Sequence, residues 1–154
     1  MAKVMGVNIT SSHAFFAVAD GGAIVDGHVE RSDVPQAQSS GVQLVEALAD
    51  LNRRLAASDP ALIAILQAET NYTDTDVGWR PRMTYEALIR VAAGERQIPT
   101  EFLSRAAVRS RLSLGRKGKL ADHLGAAGDA VGRYWTAGRG LAALTALAAH
   151  EENG

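Results

Sequence analysis

The sequence predicts an α/β protein: a mixed five-stranded sheet, its first three strands antiparallel, with flanking helices. Three observations point there. The chain opens with three strand-like segments joined by turns of two or three residues, short enough only for antiparallel neighbours. A long amphipathic segment follows. A compact apolar run of strand length, Ala61 to Ala68, comes next. A strand reached through a helical crossover lies parallel to the one it left, so the fourth and fifth strands are expected parallel to the first.

The first segment, Lys3 to Thr10, is apolar on both faces, as in a strand covered on both sides, yet it contains Asn8. Ser11-Ser12 turns into a second strand, His13 to Asp20. Asp20-Gly21-Gly22 turns into a third, Ala23 to Arg31, since glycine adopts positive φ at little cost. There Val25, Val29 and Arg31 alternate with Asp26, His28 and Glu30, the pattern of a strand near an edge. Ser32 to Gly41 is polar, contains Pro35 and reads as a connection. From Gly41 to Ser58, Leu44, Val45, Leu48, Leu51 and Leu55 recur three and four apart and predict a helix with one apolar stripe. Ser39 or Ser40 caps its start, and Asp59-Pro60 stops it.

Asn71 to Arg82 reads as a polar loop, with helix resuming near Pro81. Tyr85, Leu88, Ile89 and Ala92 form that helix's inner face, and Gly94 ends it. Phe102 to Leu114 predicts a fifth strand, and Gly115 to Lys119 a basic turn. Leu120 to Ala149 is helical by composition, with breaks at Gly128 and at Gly138-Arg139-Gly140.

A length of 154 residues, 47% of them hydrophobic, sets the expectation of one domain, 1–154, with an ordinary core. No run approaches the roughly 18 apolar residues of a membrane span. The first residues lack the basic and apolar regions of a leader, so a soluble, cytoplasmic protein with no membrane partner is expected. The absence of cysteine excludes disulfides and thiolate metal sites. The net charge of −1 hides an asymmetry: residues 80–119 carry +7 and the remainder −8. A cationic segment of that size attracts phosphate backbones, although solvated helix faces account for it too.

Three stretches carry a resemblance. Gly6-Val7-Asn8-Ile9-Thr10-Ser11-Ser12 resembles a first strand in which Gly-x-Asp is followed by small polar residues. Ala64 to Glu69 resembles a fourth strand ending in a catalytic glutamate. Gly115 to Ala121 resembles the basic, glycine-containing segment before a penultimate helix. With this element order the chain resembles the ribonuclease H-like superfamily, a three-layer fold, and most of all its RuvC-type resolvase branch.

That resemblance implies two-metal phosphodiester hydrolysis with Mg²⁺ or Mn²⁺. The implied catalytic positions are Asn8, Glu69 and either Asp129 or Asp122, with Glu69 and Asp129 as metal ligands. Two departures imply a degenerate site. Asn8 stands where a metal-bridging aspartate is expected, and its neutral amide offers a single carbonyl oxygen. Arg139 or Gly140 stands where the last helix would carry an acid. Asn8 also has a plain reading, as an amide bonded to neighbouring backbone. Glu69, Asp122 and Asp129 have one too, as solvated carboxylates.

The expectation is therefore a catalytically degenerate protein that associates with nucleic acid or with a partner that processes it. Arg80, Arg82, Arg109, Arg111, Arg116, Lys117 and Lys119 would meet phosphates, and Trp79 would stack on bases. One alternative is an active Mg²⁺-dependent nuclease using Glu69 with Asp122 or Asp129, or with the loop acids Asp74 and Asp76. Another is a non-catalytic structural protein that forms a homodimer through Leu141, Leu144, Leu147 and Ala148. His13, His28, His123 and His150 have no metal-ligand spacing, and the chain has no phosphate loop or serine nucleophile elbow.

Overall fold

β1 (Val4–Ile9) is buried along its whole length and organises everything else. Successive side chains of a strand point to opposite faces. Met5, Val7 and Ile9 therefore enter one core with Phe16, Leu51, Ile63 and Ile89. Val4 enters the other, with Ala64, Leu66, Leu103 and Leu144. A computed structural model describes residues 2–25, 30–36, 39–68, 76–129 and 132–153, the side chains of 76–78 and 151–153 excepted.

β1 pairs antiparallel with β2 (His13–Asp20), and β2 pairs antiparallel with β3 (Ala23–Val25) and β4 (Arg31–Asp33). On the other side β1 pairs parallel with β5 (Leu62–Leu66), which pairs parallel with β6 (Thr100–Leu103). The strand order is β3-β2-β1-β5-β6, with β4 also on β2. Helices α1 (Gly41–Ser58) and α2 (Asp76–Glu95) cover one face. Helices α3 (Arg105–Arg111) and α4 (Gly140–Asn153) cover the other. This is the mixed, three-layer α/β architecture expected, with the first three strands antiparallel and the parallel strands reached through helices.

The caps explain the boundaries of α1. Ser40 forms a reciprocal capping box with Gln43, and Asp59 ends the helix in the left-handed region. Val45 departs from the expected stripe and is exposed.

Three segments correct the sequence reading. Of the predicted third strand, β3 covers Ala23–Val25 and 26–29 lie outside the described residues, while β4 starts at Arg31 and runs to Asp33, into the segment read as a connection. The predicted strand Phe102 to Leu114 is mostly helix: β6 ends at Leu103, and the Ser104 side chain caps α3 by accepting from the Ala107 amide. The apolar spacing there has two solutions, and a serine N-cap selects the helical one. α2 begins at Asp76, five residues before Pro81, which sits inside it. The expected breaks near Gly128 and Gly138 are present: a 3₁₀ helix spans Leu120–Ala127, and a wide helical turn, Trp135–Arg139, leads into α4. The apolar strip offered as a dimer face is core, with Leu144 and Ala148 fully buried against the sheet. No described helix is long and apolar enough to cross a membrane.

α4 lies directly on the backbone of β1. A Cβ on Gly6 would fall 2.0 Å from the Ala142 carbonyl oxygen and 2.7 Å from the Ala146 nitrogen. Only a glycine beneath alanines allows that approach, and backbone atoms cannot swing aside as a side chain would. Gly6→Ala is expected to lower stability by about 3 kcal/mol, read as a drop in the urea midpoint with unchanged slope.

Candidate functional site

In an open α/β sheet, ligands bind at the carboxyl ends of the strands. Here that crevice lies between β1 and β5, which run in register from Val4↔Leu62 to Val7↔Ile65. Asn8 follows Val7 and is almost fully buried. Its Nδ2 donates to the Gly138 carbonyl at 3.0 Å. Gly138 has φ 155, and a Cβ there would meet the Phe15 ring at 2.5 Å, so the turn lies flat on Phe15. The Asn8 amide is a strut between the first strand and the entry to the last helix. An aspartate would set an acceptor against an acceptor.

Arg82, from α2, reaches the same strand ends. Its guanidinium donates to the Ile9 carbonyl and, at 3.0 Å, to the Leu66 carbonyl. Glu86 lies 3.5 Å from its Nε. Burial pushes the Glu86 carboxyl up, and the nearby Arg82 and Arg90 charges offset part of that rise. The arginine brings a fixed positive charge to the crevice, since guanidinium does not deprotonate in proteins.

Arg139, at the position of an expected acid, is buried and points elsewhere. Its Nε donates to the Phe16 carbonyl at 2.9 Å. The Phe16 amide bonds Glu30 on the far side from β1, so Arg139 occupies the outer edge of β2 between β3 and β4. Asp122 caps the 3₁₀ helix, with Oδ2 accepting from the Lys119 amide at 2.9 Å. Asp129 is exposed just after that helix. Glu69, Asp74 and Tyr72 lie outside the described residues, and the Asp76 side chain is not among those described.

The described residues do not fit a divalent cation pair. Asn8 supplies an amide already bonded to a carbonyl, and Arg82 adds positive charge. No three metal-ligating side chains converge among the described residues.

The basic segment divides into structural and presented cations. Arg82 faces inward, as above. Arg111 lies 3.4 Å from Glu101. Arg109 holds a loop: its Nη1 donates to the Gly115 carbonyl and its Nη2 to the Gly118 carbonyl, both at 2.5 Å. His123 Nε2 lies 3.2 Å from the Lys117 carbonyl and 3.3 Å from Arg109 Nη1. With three carbonyls drawn inward, Arg116, Lys117 and Lys119 project into solvent. Trp79 and Arg80 are exposed near the start of α2. The sequence reading missed the clamping role of Arg109 and His123. Its trace is a Gly-x-x-Gly spacing inside a basic run, where a tight loop needs something to gather its carbonyls.

No protein-family model matches this sequence, and no curated protein does. Solved structures do. The RuvC of Thermus thermophilus, in complex with a Holliday junction substrate, is 17% identical with a TM-score of 0.77, over 99% of this chain and 95% of that one. Another structure of Thermus thermophilus RuvC is 16% identical with a TM-score of 0.73, over 98% of this chain and 95% of that one. The yeast mitochondrial Holliday junction resolvase Ydc2 is 11% identical with a TM-score of 0.57, over 96% of this chain and 77% of that one. The chain has a ribonuclease H-like fold of the RuvC type.

Asn8→Asp tests the strut. It removes the donor to Gly138 and sets a carboxylate against that carbonyl, so stability is expected to fall by about 2 kcal/mol. Titration calorimetry with Mn²⁺ should show no gain in affinity over the parent.

Proposed function

We propose that this chain binds nucleic acid and does not hydrolyse it: a RuvC-type scaffold whose metal crevice has become structural. The observation that carries the reading is the Asn8 amide bonded to Gly138, at the position where two-metal chemistry requires a bridging carboxylate. Arg82 supports it by bringing a cation to the strand ends. The solved relatives include one bound to a Holliday junction, which favours branched or duplex DNA as the ligand class.

The contact surface is the Gly115–Lys119 loop. Arg116, Lys117 and Lys119 meet phosphates, and Arg109 and His123 keep the loop in shape for them. Trp79 and Arg80, exposed on α2 over the other face of the sheet, form a separate contact. The active-nuclease alternative, using Glu69 with Asp122 or Asp129 and Mg²⁺ or Mn²⁺, is less well supported, because Asp122 already serves as a helix cap. A homodimer through the helical face is favoured by exposed apolar residues on α2, Met83 and Val91, and on α1, Val42 and Val45.

Affinity for duplex DNA is expected to fall steeply with monovalent salt, the log–log slope losing about 0.9 for each phosphate contact removed. Lys117→Ala and Lys119→Ala should each reduce that slope. Arg109→Ala should weaken binding while leaving the slope nearly intact, because it removes order rather than a contact. Fluorescence anisotropy across a salt series reads all three. A flat salt response in the parent would refute the proposal.

A further inference from the structure

Arg31, Phe15 and Asn8 stand in register across β4, β2 and β1, so their side chains share one face of the sheet. Asn8 meets Gly138, Phe15 packs against Gly138 and Tyr134, and Arg31 reaches Tyr134. The Arg31 Cζ lies 4.2 Å from the Tyr134 ring centroid, and the Arg133 Cζ lies 5.1 Å from the same centroid. Tyr134 has φ 63, a left-handed backbone that a tyrosine rarely adopts, between Gly132 and Gly138 at φ 75 and 155. The chain is bent so that this ring sits with two guanidiniums.

No carboxylate answers those charges among the described residues. Glu30 Oε1 accepts from the Arg133 backbone amide at 3.3 Å, and Asp33 faces His13 at 3.5 Å. The two guanidiniums share one aromatic ring and neither is ion-paired among the described residues, although Glu30 lies beside Arg133, so a phosphate can bridge them.

Beside them opens a groove of about 680 Å³, running from Arg31 and Tyr134 to α1. Asp50 in its floor is already paired with Arg54 at 2.7 Å and Arg53 at 3.0 Å. Three groups in the lining keep unused hydrogen-bonding capacity. Gln36 uses its Nε2 on the Val34 and Ser11 carbonyls, which leaves Oε1. Gln43 uses its Oε1 on the Ser40 amide, which leaves Nε2. Glu46 is exposed on the same wall. A phosphate chain would be repelled by Glu46, whereas a base offers donors and acceptors to all three, and a carboxylate accepts from an exocyclic amine.

We propose that this edge is a second nucleic-acid site, which takes one unpaired nucleotide: its phosphate on Arg31 and Arg133, its base in the groove with an exocyclic amine toward Glu46. The proposal rests on the nucleic-acid reading above. It adds a contact on the β2 edge, apart in the chain from the Gly115–Lys119 loop, which follows α3. One molecule can hold a duplex arm on that loop and a frayed strand at the β2 edge.

Anisotropy with three labelled DNAs tests it: a blunt duplex, the same duplex with a short cytosine overhang, and one with a thymine overhang. The cytosine overhang is expected to bind about tenfold tighter than the blunt duplex, the weight of one stacked and bonded base. Arg31→Ala with Arg133→Ala should abolish that gain and leave blunt-duplex affinity unchanged. Arg31→Lys, which preserves the charge and guards against a folding defect, should retain part of it. A cytosine overhang bound no tighter than the blunt duplex overturns the proposal. So does a double variant that weakens both DNAs equally. An equal gain from thymine overturns the base assignment. Blunt-duplex binding without an overhang gain defeats this proposal alone. Overhang binding through Arg31 without duplex binding defeats the loop reading alone, and binding of neither DNA defeats both.

Discussion

Helix α4 rests on bare backbone at Gly6, and the described site depends on that contact. Because the Ala142 carbonyl occupies the space of a missing Cβ, the start of α4 comes down onto the end of β1. The Trp135–Arg139 turn is thereby carried to Asn8, Phe15 and the outer edge of β2 in one step. Asn8 then fixes the turn from below with a hydrogen bond, and Arg139 fixes it from the side. Each of these anchors is buried, where a lost partner costs the full desolvation of the group left behind.

The same anchors change what the crevice can do. Two-metal hydrolysis needs concentrated negative charge held on rigid strand ends. Here the strand ends are rigid but the charge is altered. The amide of Asn8 is neutral and already bonded, and Arg82 ties β1 to β5 through their last carbonyls. In the proposed reading, the strand ends that form a catalytic centre in a nuclease of this fold act as a joint between sheet and helices. Exposed cations lie on the loop clamped by Arg109 and His123, and two more arginines meet at Tyr134.

Much of the fold was legible because periodicity and punctuation agreed. The stripe of α1 with its serine cap, the apolar run of β5 and the glycine breaks before α4 all signalled the elements that formed. The failures share a cause. Phe102 to Leu114 holds apolar residues at spacings that suit either period, and one hydroxyl at Ser104 decides between them. The bond from Arg139 to the Phe16 carbonyl joins residues more than a hundred positions apart, which no local pattern signals. At the site, Asn8 was legible as a polar residue within an apolar strand, but its partner was not, since Gly138 lies far along the chain. The basic segment was legible as charge. Which cations hold the structure and which face solvent is decided by carbonyls, marked for Arg109 only by a Gly-x-x-Gly spacing and for Arg82 by no sequence pattern.

The most direct measurement incubates the protein with labelled branched DNA, once with Mn²⁺ and once with EDTA, and reads binding and strand integrity on native and denaturing gels. The account predicts equal retardation in both conditions and intact strands in both. Strand cleavage that appears with Mn²⁺ and vanishes with EDTA would contradict it.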